Sequence, residues 1–163
     1  MDTLSLDASV AITGISRSTL WRRVTDGTIG RGDKDGRSRA MLALGDVLGL
    51  VDMALGADDV AMLLRADAGE AAAQADMGAL FYVAGAHKAA LYWLNEAAAQ
   101  GNAEAMQWLG TAYATGGGGG SVIPRDAHLA IMWLAKAAAH GHAIAAQQVA
   151  GLLPGGGGIK AVW

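Results

Sequence analysis

Ala90-Leu-Tyr-Trp-Leu-Asn-Glu-Ala-Ala-Ala-Gln-Gly101 and Ala130-Ile-Met-Trp-Leu-Ala-Lys-Ala-Ala-Ala-His-Gly141 agree at 7 of 12 positions. The chain therefore carries an internal repeat. Stacked repeats bury their faces against one another and leave an extended surface suited to holding a partner. Catalysis needs convergent polar groups, which repetition has no intrinsic reason to supply, so binding is the first expectation.

A second repeated stretch precedes each tryptophan segment. Gly69-Glu-Ala-Ala-Ala-Gln-Ala-Asp-Met-Gly78 returns 32 positions later as Gly101-Asn-Ala-Glu-Ala-Met-Gln-Trp-Leu-Gly110 and begins again at Gly141. Apolar and small residues recur at three and four positions and the breaks fall at glycines, which predicts five helices over residues 69–153. Trp93 and Trp133 lie 40 apart, so the later unit holds 8 extra residues, assigned to the loop Gly116–Gly120. Gly78 and Gly110 fall inside helices, where glycine costs about 1 kcal/mol relative to alanine. A close helix crossing offsets that cost, with room left for Trp93 and Trp133 or the alanines beside them. Phe81 and Tyr113, three residues past each glycine, are expected on the same face as an aromatic seam within the core.

The pattern Ala-x-Ala-x-x-x-Leu-Gly-x-x-Tyr, followed by Ala-x-x-Trp-Leu-x-x-Ala-Ala-x-x-Gly, resembles the Sel-one-like repeat, a relative of the tetratricopeptide repeat. It departs from that pattern where Tyr82 follows the aromatic position and where His87-Lys88 replaces a longer loop. The resemblance implies an α-solenoid of about two and a half helix-pair repeats over 56–153, with a protein partner on its concave face.

Charge singles out the other half. The chain has 12 Lys+Arg and 15 Asp+Glu, a net charge of -3, without the basic balance of a protein that coats nucleic acid. Residues 16–39, however, hold seven bases against Asp26, Asp33 and Asp35, a local excess of +4. Within and before that window, Ser5 to Thr13 reads as a short helix. Gly14-Ile15 turns the chain, and Ser16 caps a second helix, Arg17-Ser-Thr-Leu-Trp-Arg-Arg-Val24. Leu6, Val10, Ile15, Leu20 and Val24 form the expected small core. Arg17, Ser18, Trp21 and Arg22 then face outward, with Arg23 flanking, where a recognition helix presents groove-facing residues. Asp35-Gly36 between short extended runs predicts a β-hairpin, a two-stranded wing. Its Arg31, Lys34, Arg37 and Arg39 are expected along a phosphate backbone. Asp46 to Leu55 reads as an apolar helix closing a domain over 1–55.

The run Ile15-Ser-Arg-Ser-Thr-Leu-Trp-Arg-Arg-Val, then Asp26-Gly27 and the wing, resembles the winged helix-turn-helix of excisionase and MerR-type DNA-binding proteins. The long dimerising helix usual in MerR-type regulators is missing from the pattern. The resemblance implies double-stranded DNA as a partner and a role as a transcription regulator or recombination accessory factor. The alternative is a winged helix that serves only as protein-binding scaffold.

The expected class is thus mostly α, a small winged helix-turn-helix followed by helical repeats. No catalytic residue, cofactor or metal is expected. No cysteine is present, nothing matches a nucleophile elbow, and Gly155–Lys160 lacks a phosphate-loop frame because Ala161 follows the lysine. His140 and His142, two apart, lie on different faces of a helix and make a poor metal pair. The first 15 residues hold Asp2 and Asp7 and no base, unlike a secretory signal, and Asp46, Asp52, Asp58 and Asp59 cut the apolar stretches short of the roughly 20 residues that span a bilayer. A cytoplasmic protein with no membrane partner is expected. Residues 154–163, a glycine-rich linker and the apolar tail Ile159-Lys-Ala-Val-Trp163, are expected to dock in a helical groove of their own chain or of a second copy, the latter giving a homodimer.

Overall fold

The computed structural model describes residues 1–117 and 121–152; the expected docking of the 154–163 tail lies outside them. The chain divides into two compact units, Met1–Ala68 and Gly69–Trp163. Both are built mainly of helices, with one small sheet in the first. Among the described residues no helix is long and apolar enough to cross a membrane.

The first unit begins with strand β1 (Thr3–Ser5) and helix α1 (Leu6–Thr13). Ser5 caps α1 by accepting from the Ala8 amide at 3.2 Å. Gly14, at φ 70°, ends the helix in the left-handed conformation that glycine adopts without strain. Ser16 caps α2 (Arg17–Thr25) in the same way, accepting from the Thr19 amide at 3.2 Å. Strand β2 (Met41–Ala43), helix α3 (Leu44–Leu48) and helix α4 (Ala57–Asp67) complete the unit.

β2 pairs antiparallel with β1, placing Leu4 opposite Leu42. The expected partner of β2, the segment before Asp35-Gly36, reaches it through a single bridge, Arg31 to Leu42. β1 takes one edge of β2, with Leu4 and Leu42 fully buried, and the segment takes the other edge, where the Gly32 amide donates to the Met41 carbonyl at 2.9 Å and the Ala43 amide to the Gly30 carbonyl at 2.8 Å. The predicted helix over 46–55 stops at Leu48, with Gly49 as its cap and turns continuing to Val51. The closing helix is instead α4, which buries Leu63 and Ala66 completely. Of the expected core, Leu6 and Leu20 are buried while Val10, Ile15 and Val24 are only half-buried. Leu4, Ile29, Leu42, Val47 and Leu63 are among the other fully buried side chains of the interior.

The second unit contains α5 (Ala71–Val83), α6 (His87–Ala99), α7 (Ala103–Thr115), α8 (Ala127–Ala139) and α9 (Ala143–Leu152), each packed against the next. The two mid-helix glycines do permit close crossings, but leucines fill the space rather than the tryptophans. A Cβ on Gly78 would stand 2.5 Å from Leu94 Cδ2, and one on Gly110 would stand 2.5 Å from Leu134 Cγ. Trp93 is 1% exposed and its indole N–H has no partner, whereas Trp133 is half-buried beneath the Lys136 ammonium, 5.1 Å from the ring centroid. Phe81 is buried and Tyr113 packs at the edge of the core; the close ring pair across α5 and α7 is Tyr82 with Trp108, 5.5 Å apart. Beyond the insertion, Ser121 bonds His87 Nδ1 at 2.6 Å, which anchors the returning chain at the start of α6.

Candidate nucleic-acid interface

The turn at Gly14 and the cap at Ser16 set the outward face of α2. Leu20 is completely buried beneath it, so Ser18, Trp21 and Arg22, one or two positions along and about 100–200° round the helix, point away from it. Arg17, Ser18, Trp21 and Arg22 are exposed, and Arg23 is half-buried. Arg17 pairs with Asp7 of α1, which neutralises part of its charge. The Ser18 hydroxyl lies 3.3 Å from that of Ser16. Trp21 keeps 38% of its surface exposed. An open apolar groove runs beside it, lined by Leu6, Ser16, Arg17, Ser18 and Ala40.

Arg31 joins this face from the other segment. The bridge to Leu42 fixes its backbone, and its guanidinium carbon lies 5.2 Å from the centroid of the Trp21 ring, a cation–π distance. Lys34 is exposed nearby in sequence. Asp26 follows α2 and accepts from the Thr28 hydroxyl at 2.5 Å and the Thr28 amide at 2.9 Å. Those two hydrogen bonds hold its carboxyl below the ordinary value, with Arg23 and Arg22 adding attraction, so the far end of the basic face carries a persistent negative charge.

Arg37 and Arg39 depart from expectation. Sequence reading sets them on phosphates with Arg31 and Lys34; the structure turns both guanidinium groups toward their own chain. Arg37 donates to the Asp67 carbonyl at 2.7 Å. Arg39 donates to the Asp35 carboxylate at 2.8 Å, to the Asp67 carboxylate at 2.9 Å and to the Asp67 carbonyl at 2.8 Å. The reason is supply: α4 brings a 4%-exposed carboxylate side chain within reach, and a buried anion demands a cation. Partial burial works against the charge on Arg39, but hydrogen bonding to Asp35 and attraction to Asp67 outweigh it and raise its pKa above the usual guanidinium value. The Arg39 amide, then the Arg39 side chain, lower the Asp35 pKa below the ordinary carboxylate value against the opposing cost of desolvation.

Asp67 is the residue that sequence reasoning missed. Nothing local marks it, since its partners Ser5 and Arg39 lie 62 and 28 positions away. Asp35 was legible in part, standing four residues before Arg39. The histidines set aside as metal ligands have other partners: His140 Nδ1 lies 2.8 Å from the Lys136 carbonyl and His142 Nε2 lies 2.8 Å from Glu104. Among the described residues no group of three His, Cys, Asp or Glu side chains is placed to hold a metal ion.

No protein-family model matches the chain, and comparison with curated proteins and with solved structures finds no match in either.

Proposed function

We propose that the first unit is a winged helix-turn-helix that binds duplex DNA through α2, and that the second is an array of Sel-one-like helix pairs that holds a protein partner. The protein would then act as a transcription regulator or recombination accessory factor. One observation carries the DNA reading: Trp21 and Arg22 stand exposed on α2 with Arg31 stacked over the Trp21 ring, a compact basic and aromatic surface on a capped helix. Arg22, Arg31 and Lys34 serve as phosphate ligands, with Arg23 flanking. Arg37 and Arg39 serve the fold.

Titration of labelled duplexes at low and moderate salt tests the reading, with the wild type compared against Arg22→Glu/Arg31→Glu. Affinity that falls with salt and collapses in the double reversal supports it. Arg39→Glu is unsuitable here because it would leave Asp67 buried beside a like charge.

A second reading, a protein-interaction adaptor in which the first unit is scaffold, draws support from the internal engagement of Arg17, Arg37 and Arg39. Absence of binding to any duplex at low salt would favour it.

A further inference from the structure

We propose that the groove beside Trp21 receives the 5-methyl group of thymine from the major-groove edge of duplex DNA, an inference that rests on the DNA-binding reading above. The face is mixed in a way that phosphate binding leaves unexplained. Phosphate contacts need cations and hydrogen-bond donors, yet the centre of this face is an indole with 38% of its surface in water. The groove it walls is completed by the side chains of Leu6 and Ala40, with Ser16, Arg17 and Ser18 at its rim. The cation beside this apolar recess is Arg31, over its Trp21 wall, so the recess suits an apolar group carried next to an anion. In the major groove the thymine methyl is the apolar group that a base edge presents, and the phosphates flank it.

The geometry is also held in place before any ligand arrives. The bridge to Leu42 fixes the Arg31 backbone, and the Arg31 guanidinium lies over the Trp21 ring, a contact that favours this ring orientation. The Ser16 hydroxyl is committed to the cap of α2, accepting from the Thr19 amide and donating to the Thr19 hydroxyl, so it is the Ser18 hydroxyl at the rim that can donate to or accept from a neighbouring base edge. Arg17, already paired with Asp7, contributes its aliphatic stem more than a net charge. Discrimination at this position therefore comes from burial of a methyl group, while Arg22, Arg31 and Lys34 supply attraction that is indifferent to sequence.

The test uses the full chain and a random-sequence duplex pool. Retained duplexes are resynthesised with uracil in place of thymine at each position in turn, and their affinities are measured for the wild type and for Trp21→Ala. The expected result is a loss of about fourfold at one or two thymines, the ordinary worth of one buried methyl. Trp21→Ala should erase that difference, and a thermal melt matching the wild type certifies its fold. Uracil duplexes that bind the wild type as tightly as thymine duplexes at every position overturn the methyl assignment alone. Failure to retain any duplex overturns it together with the DNA reading. A displayed apolar peptide retained through Trp21 in that case assigns the groove to a protein partner instead.

Discussion

Ser5 and Asp67, 62 residues apart, are joined by two hydrogen bonds: the Ser5 amide donates to one carboxylate oxygen at 2.7 Å and its hydroxyl to the other at 2.6 Å. Both residues are buried, and Arg39 supplies the countercharge. This contact closes the first unit by tying its last helix to its first strand. Asp67→Asn keeps the shape but removes the charge that Arg39 faces. Breaking such a pair from one side costs about 3 kcal/mol when buried, and somewhat less here because Arg39 remains partly exposed. Urea unfolding of the variant should show a midpoint shift of that order, and Ser5→Ala a smaller one.

Asp35 makes the same network sensitive to acid. Its pKa is lowered in the folded state, so its contribution is complete above the unfolded carboxylate range and disappears as pH falls through the folded value. Stability should therefore decline from about pH 5 downward. Asp35→Asn should flatten part of that slope in melts recorded as a function of pH; an unchanged slope would show that the network does not titrate through this residue.

Gly78 and Leu94 offer a test of the helix crossing. Alanine at 78 gains about 1 kcal/mol of helix propensity. Its Cβ, however, would meet the Leu94 side chain at 2.5 Å and the Leu94 amide nitrogen at 3.2 Å, contacts that force the helices apart. Overpacking of this kind costs about 1–3 kcal/mol, so a net loss is expected. The Gly78→Ala/Leu94→Ala pair should be less damaging than the sum of its parts in a double-mutant cycle. Gly110 with Leu134 should repeat the result.

Trp93 buries an indole N–H without a partner. Trp93→Phe removes the unsatisfied donor along with part of the ring, two effects of opposite sign, and should change stability by less than about 1.5 kcal/mol. Trp93→Ala should cost about 3–5 kcal/mol. Chemical denaturation distinguishes the two.

On the basic face, Arg22→Gln should weaken duplex binding evenly across sequences and reduce the slope of log affinity against log salt by about 1. Its melting temperature should stay near that of the wild type, because Arg22 is exposed on α2.

Helix positions in the second unit were readable because they repeat. Glycine, alanine and tryptophan at fixed intervals report a local period, and a period of 3.6 residues is a property of neighbours along the chain. The cap at Ser16 is readable for the same reason, acting on an amide three residues ahead. The occupant of the space at Gly78 was not readable, since Trp93 and Leu94 are adjacent and the choice between them depends on how the helices rotate against each other.

The amino-acid order alone accounts for the internal repeat, the turn between α1 and α2, and the outward placement of Trp21 and Arg22, all of which follow from interactions within a few residues. Folding in three dimensions made β1 rather than the polar segment before Asp35-Gly36 the main partner of β2, and it set Arg37 and Arg39 apart from the other bases of residues 16–39. Arg37 and Arg39 turned to partners in their own unit because Asp67 arrived beside them on α4. Pairing between distant groups is set by the burial of the whole unit, a quantity that no local pattern encodes.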